Sequence, residues 1–228
     1  MIRVFIVGCP RSGTTLLQCL LAAHSQMISF PESHLHYDFR KAADRLRQFD
    51  ELTQQQNLLG WIEKTPRHLH YIADIEALCP DAKFVHCLRD PWPNVAALYT
   101  IERRHGTAWS YRPKTIDECF QRWQKDFEIS NFYKSRLNHK LIKYEELTEN
   151  PAEVLNNLCQ FLGLVYESAM LEEYVNVASQ VDEQAPWKIS VRQPIRNFNN
   201  LNLSYLLPDE LTYLKNLCTS LNSDTNFL

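Results

Sequence analysis

The chain opens on MIRVFIVGCPRSGTTLLQ, and this stretch restricts the fold more than any other. Val4 to Val7 is an unbroken apolar run, the pattern of a strand buried on both faces. Gly8 and Gly13 bracket a short loop, and Thr14 to Ala23 continues as an apolar helix. A strand that feeds a glycine loop into a helix start brings backbone N–H groups and the positive helix end onto one point, which suits an anion. Ser12, Thr14 and Thr15 add hydroxyl donors there, and Arg11 adds a planar charged fork. The spacing matches a Walker A loop, but Thr14 stands where that motif places its lysine. With strand, loop and helix in order, anion binding is preferred over a bare strand-to-helix turn. An ATPase is disfavoured, because Asp90 lies between Arg89 and Pro91 and reads as a helix N-cap rather than a metal ligand.

Further strands are expected at Trp61 to Glu63, Lys83 to Leu88 and Lys140 to Lys143. Helices are expected from Arg67 to Leu78 behind Pro66, from the Asp90-Pro91 start, from Thr115 to Leu137, and from Pro151 to Leu162 with Gly163 as its C-cap. Strands alternating with helices of this length imply βαβ units. The expected fold class is therefore α/β, a three-layer P-loop-like arrangement with a central, mostly parallel sheet flanked by helices. One domain over 1–228 is the economical division. The segment 179–207 is the least regular, carries Lys188, Arg192 and Arg196, and could close over a ligand.

Bulk composition narrows the function classes. A formal charge of −3 argues against a general nucleic-acid binder, so any basic site must be local. Seven cysteines without a C-x-x-C spacing suggest reduced thiols rather than a zinc site. No run approaches the roughly 18 apolar residues of a membrane span, and the start lacks the features of a signal peptide. The expectation is a cytoplasmic protein.

Four candidate places carry chemistry: the opening loop and three others. In FPESHLH, either Glu32 or His34 could serve as a general base toward a hydroxyl, although a Pro-Glu-Ser run also reads as a turn with Glu32 merely solvated. In IEKTPRHL, Lys64 falls at the C-terminal end of a strand, where open parallel sheets present ligand groups; as surface charge, Lys64 and Arg67 would be ordinary. Arg89 ends a strand in the same way. Two strand ends delivering cations toward one glycine loop point to a ligand with more than one phosphate-like group. Trp109 and Tyr111 could line an acceptor site, with Arg103 and Arg104 attracting an acidic acceptor; an exposed loop is the plainer alternative.

PRSGTTLL (10–17), FPESH (30–34), EKTPRH (63–68) and FVHCLRDP (84–91), followed by LIKYEELTENPAEVLNNLCQFLGL, together resemble the sulfotransferases that use 3′-phosphoadenosine 5′-phosphosulfate (PAPS), particularly the bacterial and tyrosylprotein-type branch. The resemblance covers roughly residues 2 to 165. It implies that Arg11, Ser12, Gly13, Thr14 and Thr15 hold the 5′-phosphosulfate, that Glu32 is the general base, that Lys64 stabilises the transferring group, and that Arg89 grips the 3′-phosphate. It further implies PAPS as co-substrate, 3′-phosphoadenosine 5′-phosphate (PAP) as product, and no required metal. Where the family often has a serine, this chain has Ala97, so the expectation is either a reduced donor affinity or a substitute contact from Asn94, Arg192 or Arg196. The expected acceptor is a small molecule, carbohydrate or peptide reacting through a hydroxyl or, less favourably, an amine. The alternatives are a P-loop phosphotransferase or nucleoside kinase, and a non-catalytic nucleotide-binding protein. Acceptor identity and oligomeric state are not legible in the sequence.

Overall fold

The structure, a computed structural model, describes residues 1–109, 111–179 and 185–219. Five strands, β1 (Ile2–Gly8), β2 (Met27–Phe30), β3 (Gly60–Lys64), β4 (Lys83–Leu88) and β5 (His139–Lys143), form one sheet in the order β2-β3-β1-β4-β5. Every neighbouring pair is parallel, in agreement with the expected parallel central sheet.

The helices are α1 (Thr14–Ala22), α2 (Phe39–Gln55), α3 (Ile72–Leu78), α4 (Pro91–Tyr99), α5 (Ile101–His105), α6 (Ile116–Tyr133), α7 (Tyr144–Glu149), α8 (Pro151–Leu162), α9 (Ala169–Glu172), α10 (Tyr174–Ser179), α11 (Asn199–Leu203) and α12 (Pro208–Thr219). The central strand explains the three layers. Successive strand residues point to opposite faces, and β1 is apolar at each of them. Val4 and Ile6 pack with Leu17, Leu20 and Leu21 of α1 and Leu155 and Leu158 of α8. Phe5 and Val7 pack on the other face with Phe49 of α2, Leu69, Ile75 and Phe84.

Several elements escape sequence reasoning, among them β2, α2 and the C-terminal α12. Strand β2 is four residues long and pairs with β3 at the sheet edge. Helix α2 is highly charged, yet Ala42, Leu46, Phe49 and Thr53 form a buried stripe at helical spacing, and Asp38 caps its start by accepting from Arg40 N at 3.1 Å. The helix expected over 67–78 divides into a 3₁₀ stretch, Pro66–Tyr71, and α3. Asp90 stands at the N-cap of α4 but its carboxylate caps nothing. Gly163 closes α8 in the left-handed conformation (φ 82°), as expected. Within 179–207 the structure has a 3₁₀ stretch, Pro186–Arg192, and α11; residues 180–184 lie outside the described residues.

All seven cysteines are buried and free. Among the described residues no helix is long and apolar enough to cross a membrane. The strand order turns the chain to one side of β1 for β2 and β3, and to the other for β4 and β5. A crevice therefore opens at the C-terminal end of β1, the place where open α/β sheets bind ligands.

Candidate active site

The loop after β1 is held open by backbone conformations and by contacts beneath it. Gly13 has φ 98°, and a Cβ there would sit 2.7 Å from the Tyr144 ring. Arg11 itself takes a left-handed conformation, φ 74°, an uncommon state for a residue with a side chain. Asn94 Nδ2 donates to the Pro10 carbonyl (3.3 Å) and to Cys9 Sγ (3.2 Å), so it braces the loop from below.

Three guanidinium groups converge above the loop. Arg11, Arg89 and Arg104 line one cleft of about 690 Å³ together with Gly13, Thr14, Thr15, Tyr144, Ser190, Arg196 and Phe198. Arg89 donates to Asn199 Oδ1 (2.9 and 2.8 Å) and to the Arg11 carbonyl (2.8 Å), and stacks 4.1 Å from the Tyr144 ring centroid. Arg11 donates to the Trp187 carbonyl at 2.6 Å, and Arg104 to Asn202 Oδ1 at 2.6 Å. Among the described residues none of the three is in ion-pair range of a carboxylate. Burial, then the neighbouring charges of Arg104 and Arg89, push Arg11 down to about 9. Among the described residues, Arg11 Nε, Arg104 Nε and Ser12 Oγ are buried without a partner. Clustered like charges and orphaned donors of this kind fit a polyanion.

A second cleft, about 940 Å³, shares Arg11, Thr14, Thr15, Trp187 and Lys188 with the first and adds Glu32, His34, Lys64, Arg67, Trp109, Tyr111 and Arg122. Lys64 ends β3 beside the loop, through the register Ile6 to Lys64, and its ammonium donates to Glu32 Oε1. Lys188 donates to the same oxygen at 2.8 Å, and His34 Nε2 lies 3.7 Å from Glu32 Oε2. Burial pushes the Glu32 carboxyl up, but Lys64 and Lys188 outweigh it and hold the group at about 2. Burial likewise lowers Lys64, against the pull of Glu32. Burial also lowers His34, again against Glu32.

The segment carrying Glu32 is anchored by Glu63, which is fully buried in β3. Its carboxylate accepts from Ser33 N and Ser33 Oγ, both at 2.8 Å, from Thr65 Oγ1, and from His68 Nδ1 at 3.0 Å. On the opposite wall, Arg122 Nε donates to Asp126, which also accepts from His70 Nε2 at 2.6 Å.

Most of the residues expected from sequence do meet. Arg11, Thr14, Thr15, Glu32, His34 and Lys64 share the second cleft, and Gly13, Arg89 and Arg196 join the loop in the first. Asn94 and Arg192 line neither cleft; Arg192 donates to the Ala178 and Ser179 carbonyls. Ser12 is buried under the loop, and Ala97 is fully buried in α4. Arg103 is engaged with Glu210 and the Tyr205 carbonyl, tying α5 to α12. Arg104, expected near an acceptor, lies in the arginine cleft instead. Tyr144 went unnoticed in the sequence although it directly follows β5, where the strand-end rule that singled out Lys64 and Arg89 also applies. Nothing local in the sequence signals the Lys188–Glu32 contact.

Comparison with known proteins agrees with this architecture. A model of the sulfotransferase family matches residues 3–61 and 46–168. A putative protein-tyrosine sulfotransferase of Caenorhabditis briggsae is 25% identical over 203 residues, covering 78% of this chain and 71% of the relative. An uncharacterized protein of Aquifex aeolicus (strain VF5) is 25% identical over 215 residues, which span 75% of this chain but only 26% of that protein. Among solved structures, the sulfotransferase domain from the curacin biosynthetic pathway aligns with TM-score 0.60 at 20% identity, covering 96% of this chain and 97% of the domain. Mouse sulfotransferase SULT7A1, solved with PAP, aligns with TM-score 0.68 at 12% identity, covering 99% and 86%. The structural likenesses establish a shared fold. Because the family model runs across well over half of its length, this chain belongs to the sulfotransferase family.

Proposed function

We propose that the protein moves a sulfuryl group from PAPS to an acceptor hydroxyl by in-line displacement, with Glu32 as general base. The observation that carries this reading is the meeting of two clefts at Arg11, Thr14, Thr15 and Lys188, with Glu32 and Lys64 on the acceptor side. The chain acts as one sulfotransferase domain, in which the stretch from Trp187 to Phe198 walls the donor cleft.

On the donor side, the loop N–H groups with Thr14 and Thr15 would hold the 5′-phosphosulfate, and Arg89, Arg104 and Arg196 would meet the 3′-phosphate. The uncompensated guanidinium groups and the orphaned Ser12, Arg11 and Arg104 donors fit that dianion. The PAP complex of mouse SULT7A1, a protein of the same fold, supports the same donor. On the acceptor side, the acceptor oxygen forms its bond to sulfur as the bond from sulfur to the 5′-phosphate oxygen breaks, and that oxygen keeps the electron pair. Glu32 takes the acceptor's proton. Lys64 and Arg11 stabilise the charge growing on the sulfuryl and bridging oxygens. A carboxylate held at about 2 is a weak proton acceptor, so the base acts only after its lysines turn to the donor. The protein-tyrosine sulfotransferases among the relatives, with Trp109 and Tyr111 in the cleft lining, favour a phenolic or peptide hydroxyl.

Thermal shifts with PAP and with ATP, followed by transfer from PAPS in the presence of chelator, test this directly. Stabilisation by PAP and chelator-resistant transfer are expected. A requirement for ATP and Mg²⁺ would move the assignment to a phosphotransferase, and donor binding without transfer would move it to a binding protein.

A further inference from the structure

Lys188 is the least expected member of the site. It lies 156 residues beyond Glu32 in the chain, yet its ammonium reaches the very oxygen that Lys64 holds. It lines both clefts, and the Pro186–Arg192 stretch that carries it is fastened to the loop by the bond from Arg11 to the Trp187 carbonyl. One carboxylate therefore serves two ammonium groups where the clefts join, with Arg11 lining the same junction. Two cations on one oxygen repel each other, so an incoming anion has a cation to recruit at little cost. The two lysines differ in freedom: the Lys64 side chain is 2% exposed, that of Lys188 23%. The groups facing Glu32 are Lys64 from β3, Lys188 from the 3₁₀ stretch, His34 from its own loop, and Tyr111, Arg67 and Arg11 along the shared cleft.

We propose that Lys188 is a catalytic residue that pairs with Glu32 in the empty site and turns to the sulfuryl oxygens when the donor fills the junction, freeing Glu32 to accept the proton. This rests on reading the site as a sulfuryl-transfer centre. Because Lys188 serves the sulfuryl group and neither phosphate, it strengthens binding of PAPS but not of PAP. Until it turns away, it is one of two charges that hold Glu32 far below its ordinary range.

The test compares wild type, Lys188→Met and Lys188→Arg by calorimetric titration with PAP and PAPS, and by release of PAP from PAPS with a simple phenol as acceptor. Lys188→Met is expected to bind PAP within about threefold of wild type, while its preference for PAPS and its transfer rate each fall about 10-fold or more. Lys188→Arg is expected to restore most of both. The acidic limb of kcat/KM, which reports the free enzyme, should move up by about 1–2 pH units in Lys188→Met and stay put in Lys188→Arg. A wild-type PAPS-to-PAP ratio and rate in Lys188→Met would overturn the proposal. Equal losses for PAP and PAPS would also overturn it, since they indicate packing of the segment alone. Glu32→Gln measured alongside keeps the two readings apart. Near-normal turnover there removes Glu32 as the base, while the PAPS-to-PAP ratio of Lys188→Met still judges Lys188.

Discussion

Replacing Gly13 by alanine should damage both the loop and the cation above it, and the two effects separate in different assays. At φ 98° a side chain is strained, which costs about 1–3 kcal/mol in the folded state whether or not a ligand is bound. At roughly 2–4 °C per kcal/mol for a chain of this size, that loss appears as a lower melting temperature. The added Cβ also meets Tyr144 Cδ2 at 2.7 Å, so the ring must retreat. Tyr144 is the platform for Arg89 at 4.1 Å, and its hydroxyl donates to the Arg196 carbonyl and accepts from Phe198 N, both at 3.2 Å. Loss of the cation–π contact alone is worth about 0.5–2 kcal/mol, a weakening of PAP binding of about 2- to 30-fold. Gly163→Ala is the matched control, because Gly163 has φ 82° but a Cβ there meets nothing within 4 Å. Calorimetric titration with PAP and thermal melts of both variants decide the matter. If Gly13→Ala melts early like Gly163→Ala yet binds PAP like wild type, the Tyr144–Arg89 stack does not shape the donor site.

Glu32→Gln is expected to lower turnover by about 10²–10⁴-fold while PAP affinity changes little, measured by single-turnover kinetics beside calorimetry. Arg104→Met should weaken PAP binding about 10-fold or more and flatten its salt dependence, while the relief of Arg11 from a repelling neighbour offsets part of the cost of orphaning the buried Asn202 Oδ1 in the empty protein; unchanged affinity would remove Arg104 from the donor site. Acid should destabilise the fold through its buried histidines. His86, fully buried and bonded to His139 Nδ1 (2.8 Å) and Ser130 Oγ (3.2 Å), is pushed down to about 3 by burial first and His139 second. Between its unfolded pKa of about 6.5 and that value, the unfolded chain binds a proton that the folded chain refuses, so stability is complete above about 6.5 and declines as pH falls. The melting temperature should drop from about pH 7 to about pH 5, and His86→Leu should make that slope shallower.

The parts that sequence reasoning located share one property: their signal is local. Lys83 to Leu88 is a short strand rich in apolar and β-forming residues around a buried His86, and Pro151 to Leu162 is an amphipathic helix bounded by proline and glycine. The strand-end rule found Lys64 and Arg89 because the residue that follows a buried run must emerge at the crevice. Helix α2 was hidden because most of its surface is charged and its stripe of Ala42, Leu46, Phe49 and Thr53 includes a small and a polar residue. Strand β2 is too short for periodicity to register. Asn94 sits one turn before Ala97, which suggests a ligand contact, but the helix presents it to the underside of the loop, a matter of rotation that spacing alone does not fix. Arg104 and Lys188 are hydrogen-bonded to Asn202 and Glu32, partners 98 and 156 residues away, and no window of sequence connects them.

The absent loop lysine makes sense once the cations are located in the sheet. A Walker loop carries its own lysine and so presents one charge at one point. Here the strands on either side of β1 each end in a cation: Lys64 on β3, which faces Glu32, and Arg89 directly after β4, which faces Tyr144 and Asn199. The loop lies between them, with Arg11 touching both clefts. In the proposed reaction, an anion with charge at two separated positions would be oriented end to end, its reactive group toward Lys64 and its second phosphate toward Arg89 and Arg104. Polarity of this kind cannot be built from a lysine inside the loop, because one residue cannot tell one end of a ligand from the other. Thr14 at the lysine position is therefore compatible with an intact site, and under the proposed function the discrimination between donors would rest on residues delivered from β3, β4 and the C-terminal segment.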